Sequence, residues 1–149
     1  MKIIKVKFIN ALVKVASCIY FLLLAYVTLF SARRELKDRS FRGNANFNLF
    51  SKVPLYSSLD EAGKFYFIQD ILGNLILFLP FVMAVNFLIA TKWSNKRLLF
   101  LMLLTIFFIE SLQFVLDIGV FDVDDIVLNF TGGVAGMFLF NFIYRRYFV

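Results

Sequence analysis

Glu110 stands inside a long apolar run, seven residues before Asp117, which on a helix is about 10 Å from that polar end. Gln113 follows it by three residues, so a helix here places a carboxylate and a carboxamide on one face. Asp125 and Asn129 repeat the theme four residues apart, and Gly132 and Gly136 continue their stripe as a Gly-x-x-x-Gly pattern that lets helices approach closely. Asn74 lies inside another apolar run, with Asp70 one turn before it. A charge held at the centre of a bilayer costs at least about 2.5–3.5 kcal/mol, so such residues need partners or a task. The chemistry open to them is recognition of a polar headgroup by Asn74, Glu110, Gln113, Asp124, Asp125 and Asn129, or general acid–base work by Glu110 or Asp125. Asp122, Asp124 and Asp125 could instead gather a divalent cation, as oxygen ligands do. That reading competes with acidic residues placed at a helix start to complement its dipole, which is favoured, so no metal or other cofactor is expected.

The sequence has no His, which excludes His-based triads, His-ligated zinc and a His base. Its one cysteine, Cys18, has no partner for an internal disulfide and reads as a small apolar residue. A Glu, a Gln and an Asx pair could also be plain helix glue, since amides often bond across membrane helices. What favours a site is their shared depth, which follows from the elements that carry them.

Those elements are membrane spans. The 149 residues are 61% hydrophobic, too apolar to cover a soluble fold with polar surface. Four stretches reach the ~20 apolar residues that a bilayer crossing needs: about 8–30, 68–90, 98–116 and 125–144. The expected fold is all-α, an integral membrane four-helix bundle, residues 1–149 forming one domain with a long first connection outside the cytoplasm. Residues 2–7 resemble the basic start of a signal peptide, but the length of the first run and the absence of a small-x-small site around residue 31 favour an uncleaved anchor. Ser58 and Glu61 have capping-box spacing and predict a helix start leading into the second span. Residues 47–56, mixed aromatic and polar around Pro54, predict either an interfacial stretch or a loop packed on the bundle.

Lys2, Lys5 and Lys7, then Lys92, Lys96 and Arg97, then Arg145 and Arg146 fall on one side of a four-span chain. By the positive-inside tendency that side is cytoplasmic and both termini lie there. The basic residues of the first connection, 31–67, run against this assignment. The net charge of +6 fits anionic headgroups and shows no aromatic–basic interleaving of the nucleic-acid kind. The second and fourth spans start where the third ends. Asn74, Glu110, Gln113, Asp125 and Asn129 therefore share one half of the bilayer whichever way the chain inserts, the outer half under the charge rule. Asn86 and Asn141 lie toward the other side and read as packing residues, Lys14 snorkels, and Gly132 with Gly136 reads as helix packing.

Three motifs in this region resemble the VanZ-like membrane proteins. Asn74, Phe78 and Pro80 match an Asn-x-x-x-Phe-x-Pro signature, Glu110 and Gln113 a Glu-x-x-Gln, and Asp122, Asp124, Asp125, Asn129 and Gly132 an Asp-x-Asp-Asp-x-x-x-Asn-x-x-Gly block. Residues 48–54 are a looser echo of an Asn-Leu-x-Pro stretch. The chain departs from many relatives in having Phe81-Val82 where a Gly is common, and Gly119-Val120 where an Arg is common. The resemblance implies a protein of a bacterial cytoplasmic membrane connected with the cell envelope and with resistance to the glycopeptide teicoplanin. Three functions follow as expectations: a resistance factor holding an amphiphile at a polar cavity in the outer leaflet, an intramembrane enzyme on a lipid-linked substrate, or a small assembly subunit using the Gly132–Gly136 face. The expected partners are membrane lipid, a lipid-like or glycopeptide ligand and a second copy of the chain, with no nucleic acid.

Overall fold

Apolar runs that exclude water leave the backbone only itself for hydrogen bonding, and helices satisfy it within the segment. The computed structural model describes residues 2–31, 45–50, 53–89 and 93–148. Helix α1 (Lys2–Tyr26) ends in a wide π-turn, Val27–Ser31. A two-residue strand, β1 (Ala45–Asn46), and a 3₁₀ turn, Pro54–Ser58, lead to α2 (Glu61–Phe78) and α3 (Phe81–Leu88). Helix α4 (Asn95–Val115) is followed by β2 (Phe121–Asp122) and α5 (Val123–Phe148). The segments Ile9–Phe30, Glu61–Leu88, Asn95–Val115 and Val123–Ile143 are long and apolar enough to cross a membrane, so the chain is a four-span, multi-pass membrane protein.

The second span differs from expectation in two ways. Its helix starts at Glu61, where the 58–61 spacing predicts a start, but the cap is Asp60 and not Ser58, its carboxylate accepting from Gly63 N–H at 2.8 Å. It also breaks at Leu79–Pro80, because proline offers no N–H and its ring displaces the preceding turn. Leu79 N–H turns back to the Ile76 carbonyl at 3.2 Å, and the Tyr20 hydroxyl of α1 donates to the Leu77 carbonyl at 2.9 Å. A neighbouring helix thus satisfies an acceptor at the proline break.

Around that break lies the apolar core: Leu24, Phe78, Phe81, Val82, Val85, Leu98, Met102, Ile106 and Met137. Phe21 meets Phe81 edge-on at 5.6 Å, and Phe81 stacks on Phe78 at 5.5 Å. Helices α2 and α5 run parallel, since Gly132 faces Leu75 and Gly136, one turn on, faces Leu79. At both glycines a Cβ would fall on the opposing main-chain carbonyl oxygen, so only glycine permits this separation. The Gly-x-x-x-Gly face is therefore filled by α2 of the same chain. Gly133 lies against the Met102 sulfur of α4.

The all-α architecture has one small exception: β1 and β2 pair in parallel, Ala45 with Phe121 and Asn46 with Asp122. This pairing ties the described part of the first connection to the entrance of α5. Residues 32–44 of that connection lie outside the described residues, as do the signal-like Met1 and Lys92.

Candidate functional site

The buried stripe of α4 runs Leu98, Met102, Ile106, Glu110, four residues apart, each at most 3% exposed. Three of these belong to the apolar core and the last is a carboxylate. Beyond it α4 closes in a Schellman motif: Ile118 N–H bonds the Gln113 carbonyl at 3.0 Å and Asp117 N–H the Phe114 carbonyl at 3.2 Å. Asp117 takes the left-handed position with φ 55°, which Asp tolerates better than most residues. The chain then turns back over the helix end. Gly119 passes close to Gln113, where a Cβ would sit 3.2 Å from that of the glutamine, so this position is held small.

That reversal carries β2 over Glu110. Its Oε2 accepts from Asp122 N–H at 3.5 Å, a long contact. Asp122, itself buried, accepts through Oδ1 from Asp124 N–H at 2.9 Å and from Asn46 Nδ2 at 3.1 Å. The Asn46 side-chain oxygen in turn accepts from Asn48 N–H at 3.1 Å. Asp124 Oδ1 accepts from Phe50 N–H at 2.7 Å. Phe50 has φ 60°, a costly backbone for a bulky residue, and the charge-assisted bond to Asp124 helps hold it there. Asp122 and Asp124 thus secure the 45–50 segment to the start of α5. Among the described residues, no group of three carboxylates is arranged to hold a metal ion.

The structure divides the expected set rather than drawing it around one opening. Glu110, Asp122 and Asp124 form the buried chain just described. Gln113 turns toward α1 and donates from Nε2 to the Thr28 carbonyl at 2.8 Å, joining the ends of α1 and α4. Asp124 and Asp125 line a cavity of about 210 Å³ between α2 and α5, together with Asp70 and the apolar Phe50, Val53, Phe67, Ile71, Val127 and Leu128. Asn129 is 4% exposed, and its Oδ1 accepts no hydrogen bond among the described residues. Asn74 is half-buried in α2, one turn before Phe78, and its side chain makes no hydrogen bond to another described residue. Asn86 bonds the Val82 carbonyl of its own helix at 3.0 Å.

Three contributors escaped the motif spacing. Asp70 had been visible only as a residue one turn before Asn74. Asn46 and Phe50 reach the cluster from 76 and 74 residues away in sequence, a distance at which helical periodicity carries no signal. The site can therefore present carboxylates and an amide beside an apolar cavity, at the one end of the bundle where the buried carboxylates among the described residues gather.

The chain is 26% identical over 95 residues to Protein VanZ of Enterococcus faecium, an alignment covering 64% of this chain and 56% of that protein. It thus spans little more than half the length of the curated relative it matches. No solved structure matches it. The VanZ/LLP1 family model matches residues 17–144, which include every motif and contact of the site, and the chain belongs to that family.

Proposed function

We propose that the protein is a cell-envelope factor of a bacterial cytoplasmic membrane that contributes to glycopeptide resistance by holding an amphiphile in the outer leaflet. The observation that carries this reading is the cavity walled by Phe50, Val53, Phe67, Ile71, Val127 and Leu128 with Asp70, Asp124 and Asp125 on its lining. An apolar concavity with a few converging polar groups is the usual form of a small-molecule site. Both termini and the connection between α3 and α4 are then cytoplasmic, in keeping with the basic residues there. Teicoplanin carries an acyl chain and partitions into the leaflet that the site would face. Expression in a glycopeptide-sensitive host is expected to raise teicoplanin tolerance more than vancomycin tolerance, and Asp125→Asn to remove the difference. Equal or no change with well-expressed protein sinks the reading.

A second reading, an intramembrane enzyme on a lipid-linked envelope substrate, draws on the burial of the Glu110 carboxyl at the end of an apolar stripe, where it could serve as acid or base. Strains carrying Glu110→Gln would then accumulate a lipid-linked precursor. Unchanged lipid and precursor profiles argue against it. The assembly-subunit reading loses its motive, because the Gly132–Gly136 face is occupied by α2.

A further inference from the structure

The cavity between α2 and α5 differs from the buried carboxylate chain beside it in what surrounds it. Phe67, Ile71, Val127 and Leu128 all lie within helices long and apolar enough to cross a bilayer. The outward-facing neighbours on α2 are apolar as well: Ile68 is 46% exposed and Leu72 48%. On the other side, Phe50 and Val53 line the cavity, and Phe47 and Leu49 present further exposed apolar surface on the same segment. Apolar surface thus continues from the cavity wall onto the helix faces beside it.

Volume narrows the occupant. A dry apolar cavity of about 150 Å³ holds a benzene-sized guest. At about 210 Å³ this one is somewhat larger, and a whole glycopeptide is excluded on size. A segment of a single hydrocarbon chain meets these constraints: apolar walls, a volume of this order, and polar groups confined to Asp70, Asp124 and Asp125.

We propose that the cavity is a lipid-chain slot, entered sideways from the surrounding leaflet by one hydrocarbon chain of an amphiphile. This deepens the reading above and rests on it, since it assigns the ligand's chain, rather than its headgroup, to the space between α2 and α5. Phe50, Val53 and Ile71 are then the residues that set which chain fits.

The test uses the full-length protein in phosphatidylglycerol vesicles containing a small fraction of phosphatidylglycerol with a diazirine in one acyl chain, followed by photolysis and peptide mapping. Labelling of residues 67–71 and 124–128 is expected to saturate as the probe fraction rises, while labelling around the lipid-facing Leu104 and Phe108 of α4 rises linearly. Leu128→Trp, which fills the slot, should lose the saturable component and leave the α4 labelling unchanged. Linear labelling at every position in the wild-type protein overturns the proposal without recourse to any variant. So does saturable labelling that Leu128→Trp leaves intact in a folded protein. Because the vesicles contain no antibiotic, saturable labelling in a protein that confers no teicoplanin tolerance upholds the slot and removes only the resistance reading. Tolerance with linear labelling does the reverse.

Discussion

Asp122 uses one side-chain oxygen to accept from two donors, Asp124 N–H and Asn46 Nδ2, while its own N–H reaches toward Glu110. Leaving a buried donor unpaired costs about 1–3 kcal/mol. Asp122→Ala should therefore destabilise the protein by about that much for each buried donor it leaves unpaired, and expose the 45–50 segment to protease. Asp122→Asn, which keeps an acceptor, should cost less; unfolding in detergent read by circular dichroism makes the comparison. Asn129 is expected to behave in the opposite way. Its Oδ1 is buried with no hydrogen-bond donor among the described residues, a desolvation cost without a structural return. Asn129→Leu should leave unfolding stability unchanged or raised while abolishing the teicoplanin effect. A loss of stability matching the loss of tolerance would mark Asn129 as a structural residue only. The spacing of Asp125 and Asn129 was legible in the sequence. That Asp122 and Asp124 bind main-chain N–H groups of a distant segment was not, because an Asp reads the same whether it caps a helix, binds a ligand or fastens a loop.

The parallel contact of α2 with α5 rests on two glycines, and one tyrosine ties α1 to the end of α2. Overpacking a close helix interface costs about 1–3 kcal/mol and more where backbone must move. Gly132→Leu and Gly136→Leu are expected to exceed that range, since the added Cβ meets the Leu75 or Leu79 carbonyl. Gly73 has open space where its Cβ would be, so Gly73→Ala should be neutral or stabilising by up to about 1 kcal/mol through helix propensity alone. Tyr20→Phe removes the donor to the Leu77 carbonyl and should cost about 0.6–1.7 kcal/mol, the range of interhelical hydrogen bonds in membranes. Melting of the four purified variants in one detergent orders them. The Gly-x-x-x-Gly pattern announced a close approach. It did not name its partner, because the helix face that a glycine stripe meets depends on how its neighbour is rotated.

At the scale of the molecule, the buried carboxylates among the described residues gather at one end of the bundle, away from its apolar core. That polarity gives the orientation proposal a direct check. In a Cys18→Ala background, Leu116→Cys between α4 and α5 should react with a membrane-impermeant maleimide in intact cells, and Ser94→Cys should react only after lysis. Reaction at Ser94→Cys in intact cells reverses the assignment. Span number and depth were determined by the sequence itself. Hydrophobic length is a local property, and in an antiparallel series of spans depth follows from counting, so Asn74, Glu110, Gln113, Asp125 and Asn129 had to share a bilayer half. The tertiary structure alone decided what each of them faces. It turned Gln113 to α1, across 85 residues of sequence, and laid the 45–50 segment against Asp122 and Asp124. It also opened a cavity between α2 and α5 beside Asp125. The physical reason is that periodicity fixes which residues share a helix face but not where that face points. Rotation is set by close packing at Gly132 and Gly136 and by the turn that closes α4, and both are long-range outcomes of the folded chain.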